Sequence, residues 1–169
     1  MSKKIVIIII LFMDNKYINI YNNLVNLTRN KSLYENFSNQ DTFSDRLILF
    51  LFHFGFFLMV FKKKTEKKLL QQIYDCNFNQ LELSIREMGY GDITINKKMK
   101  TYLNIFHSIL DKIDNWDNLA DFEKSKILSS FLNINEVKSN LIDYFNKYSL
   151  DLSNNTLNYY IKGVIKPKF

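Results

Sequence analysis

The residue types that perform acid–base, nucleophilic or metal chemistry are few in this chain and do not cluster. The two histidines, His53 and His107, lie far apart, and neither belongs to a His-x-x-x-His or Glu-x-x-His pair, so metal-ligand spacing is missing. His53 sits in an apolar run and reads as a core histidine bonded to a neighbouring polar group. His107 reads as a residue at the core margin. The single cysteine, Cys76, would need a base delivered by the fold to act as a nucleophile, and a lone helical cysteine is more often a small apolar filler. Gly89-Tyr90-Gly91 lacks the preceding strand and the Gly-Lys-Ser/Thr or third glycine of a phosphate loop. Glu87 and Asp92 are explained by a helix end and a cap. The expectation is therefore no enzyme, no cofactor, no metal and no small-molecule substrate.

The remaining chemistry is positive charge. Formal net charge is +6, which suits RNA, an anionic membrane face or an acidic protein partner without choosing among them. Lys62, Lys63, Lys64, Lys67 and Lys68 gather at a helix junction and form a candidate membrane or ribosome contact. Lys97, Lys98 and Lys100 form a second group, and Lys162, Lys166 and Lys168 a third near the C-terminus. If Asn96 caps a helix, Lys97 and Lys98 stand in its first turn, against the helix dipole, which suggests another use. For any single lysine, a solvated surface position is the simpler account.

The elements that must position these residues read as helices. Apolar residues make up 47% and aromatics 15%, while four glycines and one proline leave few breakers. The fold class expected is all-α, a single compact helical domain of roughly six to seven helices over 14–169, preceded by an apolar segment at 1–13. Asp14 can cap a helix to about Leu27 with Tyr17, Tyr21, Leu24 and Val25 on one face. Ser32 to Glu35 has capping-box form, Ser38-Asn39-Gln40 reads as a loop, and Asp41 or Ser44 can cap an apolar helix to Phe61. Thr65 can cap a long helix to Met88. A further helix carries Met99, Leu103, Phe106, Leu110 and Ile113. Asn115 to Asn118 is a loop. Helices through Leu119–Leu132 and Asn135–Tyr148, a break at Ser153 to Asn155, and a last turn at Leu157–Ile161 complete the chain.

Two apolar runs are membrane candidates. Ile5 to Met13 follows Lys3 and Lys4 but lacks a small-residue cleavage site, and reads as strand-like or interfacial. Leu47 to Phe61 falls short of the roughly 20 residues that cross a bilayer and reads as a buried core helix. The competing reading is a small membrane protein spanning through 47–61, with Lys62 to Lys64 as its cytoplasmic flank.

Arg86-Glu87-Met88-Gly89-Tyr90-Gly91-Asp92 joins two long helices and holds two of the four glycines. Gly89 fits the left-handed C-terminal cap of the first helix, Gly91 a second turn, and Asp92 the start of the next helix. Arg86 and Glu87 either brace this joint or help to form a surface. Arg86, Glu87, Gly89, Tyr90, Gly91, Asp92, Lys97, Lys98 and Lys100 are the candidate partner or client surface.

Ser84 to Ile93, followed by Lys97-Lys98-Met99-Lys100, resembles the ubiquinol–cytochrome c chaperone family, which carries an Arg-Glu-Met-Gly-x-Gly-Asp block before a basic helix. Tyr21, Leu24-Val25, Arg29, Leu33-Tyr34, Asp41-Thr42, Arg46 and Leu51-Phe52-His53 look like its earlier segments, so the resemblance covers about Tyr21 to Phe106. It implies a non-catalytic chaperone for assembly of the cytochrome bc1 complex (complex III). The implied partners are newly synthesised cytochrome b, the ribosome and a small accessory protein. The implied location is cytoplasmic and peripheral at the inner membrane in a bacterial member, or on the matrix side in an organelle. The alternative of another class is a basic ribosome- or RNA-binding helical module with no cytochrome b client.

Overall fold

The most apolar stretch of the chain becomes the axis of the fold. The computed structural model describes residues 16–163 apart from 36, 38–41, 133 and 135–138. The apolar segment 1–13, Asp14, the Ser38-Asn39-Gln40 loop, Asp41, Asn135, Lys166 and Lys168 lie outside the described residues.

Helix α1 is described over 16–27. A 3-10 turn at Lys31–Tyr34 precedes α2 (Phe43–Phe61), α3 (Lys67–Glu87) and α4 (Asp92–Ile113). A second 3-10 turn at Trp116–Asn118 leads to α5 (Asp121–Phe131), α6 (Ser139–Asn154) and α7 (Leu157–Lys162). The fold is all-α, with seven α-helices and no strand among the described residues.

Several caps differ from the sequence reading. Thr42 caps α2, its hydroxyl accepting the Asp45 N–H at 3.2 Å, where Asp41 or Ser44 was expected. Asn30, not Ser32, caps the first 3-10 turn, its side chain accepting the Ser32 N–H. Helix α3 starts after Glu66 with no side-chain cap, so Thr65 does not serve. Helix α6 runs through Asn154, and its break falls at Asn155 and Thr156.

Every residue of α2 from Leu47 to Phe57 is buried, and so is Phe61. Phe54 stacks on Phe106 of α4, with ring centroids 5.2 Å apart, and also meets Phe78 of α3 at 6.0 Å. On the other side Phe56 stacks on Phe145 of α6 at 5.2 Å and meets Trp116 edge-on at 5.1 Å. Burying each such ring contributes a few kcal/mol, roughly 2–3, which outweighs the modest helix propensity of phenylalanine. At 19 residues α2 is longer than the apolar run alone suggested and meets the length and composition test for a membrane span. Here Leu47 to Phe57 and Phe61 pack inside the bundle against α4, α6 and the helices beside them, as in a core helix, while Leu58, Met59 and Val60 stay half-buried.

Gly55 is what lets α4 lie so close. A Cβ there would meet Ile113 Cδ1 at 3.0 Å and Ile109 Cγ2 at 3.5 Å. In α4, Ile95 and Ile109 are fully buried, whereas the expected Leu103 and Leu110 are half-buried. In α5 the helical spacing of Leu119, Phe122, Leu128, Phe131 and Leu132 predicts a single apolar face, yet Phe122 is exposed and Leu128 is buried. Both α2 and α4 end at the same end of the bundle, and α3 runs back between their two ends. That antiparallel return puts the lysine-rich corner and the glycine joint at opposite ends of α3, about 30 Å apart at 1.5 Å per residue.

Candidate functional site

At the α2–α3 corner, Lys62, Lys63 and Lys64 form the turn after α2, and Lys67 and Lys68 are the first two residues of α3. All five are exposed. Lys62 Nζ lies 3.6 Å from Asp114 Oδ1, and Lys64 Nζ donates to the Ser153 carbonyl at 2.8 Å. Lys63, Lys67 and Lys68 have no ion-pair partner among the described residues. Cations after the end of α2 suit its dipole. Lys67 and Lys68 oppose the dipole of α3, whose first turn contains no acid.

A groove of about 470 Å3 opens beside this corner. Leu58, Met59, Leu70, Tyr74 and Leu110 give it an apolar lining, and Lys62, Lys67, Asp111 and Asp114 line it with charge. A second hollow of about 420 Å3, lined by Val60, Lys63, Lys64 and Trp116 among others, shares Met59, Lys62 and Asp114 with the first. The Lys62–Asp114 pair therefore borders both. Leu70, Tyr74 and Leu110 were read from sequence only as apolar helix faces, and the groove they share with Leu58 and Met59 was not foreseen, because half-buried residues on three helices share no local pattern.

At the other end of α3 the joint is built as the glycines suggest, with one difference. Gly89 adopts φ +86, the left-handed conformation that side chains with a Cβ rarely tolerate, and its N–H donates to the Arg86 carbonyl at 2.9 Å. Gly91 has an ordinary φ of −74 as the N-cap of α4, and a Cβ there would meet nothing within 4 Å. Helix α4 starts at Asp92, not after Asn96. Lys97 and Lys98 therefore stand in its second turn, clear of the N-terminal dipole, and the lysines that oppose a helix dipole are Lys67 and Lys68. Asp92 is the first helical residue, favourable there as an acid.

The Arg86 guanidinium pairs with Asp92 and with Glu82 (2.7 Å), so it braces the joint, and Asp92 first and Glu82 second hold it charged. Lys98 Nζ lies 4.7 Å from the centre of the Tyr90 ring. Around these charges Met88 (46%), Tyr90 (44%) and Ile93 (88%) stand exposed. Lys97 and Lys100 are exposed and Lys98 is half-buried.

Away from both ends, His53 is wholly buried. Its Nδ1–H donates to the Leu49 carbonyl (2.6 Å), and the Tyr144 hydroxyl donates to Nε2 (2.7 Å). Burial pushes its pKa down to about 4, so the ring is neutral, and the same burial raises Tyr144. This is the satisfied core histidine read from the sequence. Cys76 is buried, and His107 sits at the exposed rim with Nε2 3.3 Å from the Tyr74 hydroxyl. Among the described residues no group of three or more His, Cys, Asp or Glu is placed to hold a metal ion.

A family model for the ubiquinol-cytochrome C chaperone matches residues 35–147. No curated protein and no solved structure matches the chain. The matched stretch begins later than the resemblance read from Tyr21, and it extends well past Trp116, to Lys147 on α6. It takes in the core helix α2, the lysine corner, the groove, and the glycine joint at the far end of α3. On that match, the chain belongs to the ubiquinol-cytochrome C chaperone family.

Proposed function

We propose that this protein is a non-catalytic assembly chaperone for the cytochrome bc1 complex, and that its client is newly made cytochrome b. Family membership supports the chaperone role. The observation that carries the client reading is the groove between α2, α3 and α4, whose apolar lining of Leu58, Met59, Leu70, Tyr74 and Leu110 lies beside exposed lysines. A groove of that character suits one apolar helix of a membrane protein held before it inserts. The protein works peripherally at the membrane face where the client inserts: cytoplasmic in a bacterium, matrix-side in an organelle.

The exposed cluster at the glycine joint favours a second contact. Met88, Tyr90 and Ile93 beside Lys97, Lys98 and Lys100 form the surface for a protein partner, either a small accessory protein or the ribosome. Arg86, Glu82 and Asp92 hold that surface in shape.

The test combines bc1 content with position-specific crosslinking. Deletion lowers the bc1 complex, and a photoreactive phenylalanine analogue at Tyr74 crosslinks to cytochrome b during its synthesis, whereas one at Ile93 crosslinks to a different protein. Unchanged bc1 content in the deletion strain, with no cytochrome b adduct from Tyr74, sinks the client reading. Salt-sensitive RNA binding in its place establishes the basic RNA-binding module.

A further inference from the structure

Chain order disperses the lysines, and the fold gathers more of them at the α2–α3 corner than the sequence indicates. The Tyr17 hydroxyl donates to Gln72 Oε1 (3.2 Å), which places the start of α1, and exposed Lys16, beside the first turns of α3. Asn19 Nδ2 donates to the Ile161 carbonyl (2.9 Å), and the Phe61 and Tyr160 rings lie 5.7 Å apart, which brings the end of α7, and exposed Lys162, to the same end. Lys16 and Lys162 thus join Lys62, Lys63, Lys64, Lys67 and Lys68. Acids stand among these lysines: Glu66 lies between Lys64 and Lys67 in the chain, and Asp111, Asp114 and Asp117 line the adjoining hollows, yet of the seven lysines only Lys62 is ion-paired among the described residues, to Asp114.

We infer that this end of the bundle docks on an anionic phospholipid bilayer. Two observations select lipid over nucleic acid. The corner is built of lysine with no arginine, and lysine is a compact, hydrated charge suited to a mobile headgroup layer rather than to bidentate phosphate or base recognition. Between the lysines lie half-buried aliphatic side chains, Leu58, Met59, Val60, Leu69 and Leu70, while Phe61 is buried and offers no stacking platform. Docked this way, the groove opens at the bilayer surface and the glycine joint faces water about 30 Å away. The inference deepens the membrane placement proposed above. Vesicle binding and bc1 content are separate readouts, so either reading can fail without the other.

The experiment is flotation of the full chain with phosphatidylcholine vesicles, with and without phosphatidylglycerol. The chain floats with the anionic vesicles, and added salt releases it. Lys63→Glu, Lys67→Glu and Lys68→Glu together lower that binding about a hundredfold or more, at roughly fivefold or more per charge. The same number of reversals at Lys97, Lys98 and Lys100 changes the net charge equally but lies beyond the roughly 10 Å screening length, and shifts binding by no more than about twofold. Circular dichroism melting confirms that both triple variants remain folded. Equal losses from both triples, or undiminished binding by the corner triple, overturns the inference. So does a wild-type chain that ignores the vesicles and binds homopolymeric RNA through the same three lysines.

Discussion

The two ends of α3 carry similar residues and use them differently. At the glycine joint the Arg86 charge is committed to Glu82 and Asp92, and Lys98 lies against Tyr90. At the lysine corner, Lys63, Lys67 and Lys68 have no ion-pair partner among the described residues, and two of them oppose a helix dipole. A motif with distinctive residues is therefore partly a structural device, while a plain lysine run in a lysine-rich chain keeps Lys63, Lys67 and Lys68 unpaired beside the engaged Lys62 and Lys64. Family-specific spacing marks positions that the backbone demands as readily as positions that a partner reads.

Mutations that act through shape at each end sharpen this contrast. The largest effect is expected at Gly55, because its Cβ position already meets Ile113 and Leu110, and Leu110 also lines the groove. Gly55→Leu should lower stability by about 3 kcal/mol through overpacking, seen as an earlier urea midpoint. A neutral result would mean that the close α2–α4 approach does not shape the corner. At the joint, Gly89→Val should remove about 2 kcal/mol, since φ +86 is strained for a β-branched residue, while Gly91→Ala should shift stability by no more than about 0.5 kcal/mol. Equal effects at the two glycines would break the account of the joint as a single left-handed cap.

A pH-dependent effect of intermediate size concerns the core shared by both ends. His53 is held neutral in the fold, with its pKa about 4 against an ordinary 6.5, so the unfolded chain binds the proton first as pH falls. Its contribution is intact above pH 6.5 and declines toward pH 4, with about 1 kcal/mol lost between pH 7 and 5.5. Urea titrations at the two pH values measure that slope, and His53→Gln should flatten it. An unchanged slope would place the acid-sensitive group elsewhere.

Much of this architecture was legible in the residues. The 3.6-residue spacing of Leu70, Ile73, Tyr74, Phe78, Leu81, Ile85 and Met88 predicted α3, although Leu70 and Tyr74 are only half-buried and Met88 is exposed, and the unbroken apolar run predicted α2 as the central helix. The glycine block predicted a left-handed cap at Gly89, which Gly89 adopts. Boundaries were less legible. Asn96 is a good cap by type, yet Gly91 and Asp92 begin α4 a turn earlier, because Gly89 has already reversed the chain. Phe122 fits a helical stripe but faces outward, since α5 presents Leu128 to the core instead.

The sequence by itself determined the all-α class, the central role of α2 and the left-handed turn at Gly89, because periodicity, capping and the φ preference of glycine are local properties. Only the tertiary structure decided that Gly55 marks a helix contact, that Arg86 reaches both Glu82 and Asp92, and that Lys16 and Lys162 join the α2–α3 corner. Those depend on which helix lies beside which, and that is settled by packing half-buried faces contributed from distant parts of the chain.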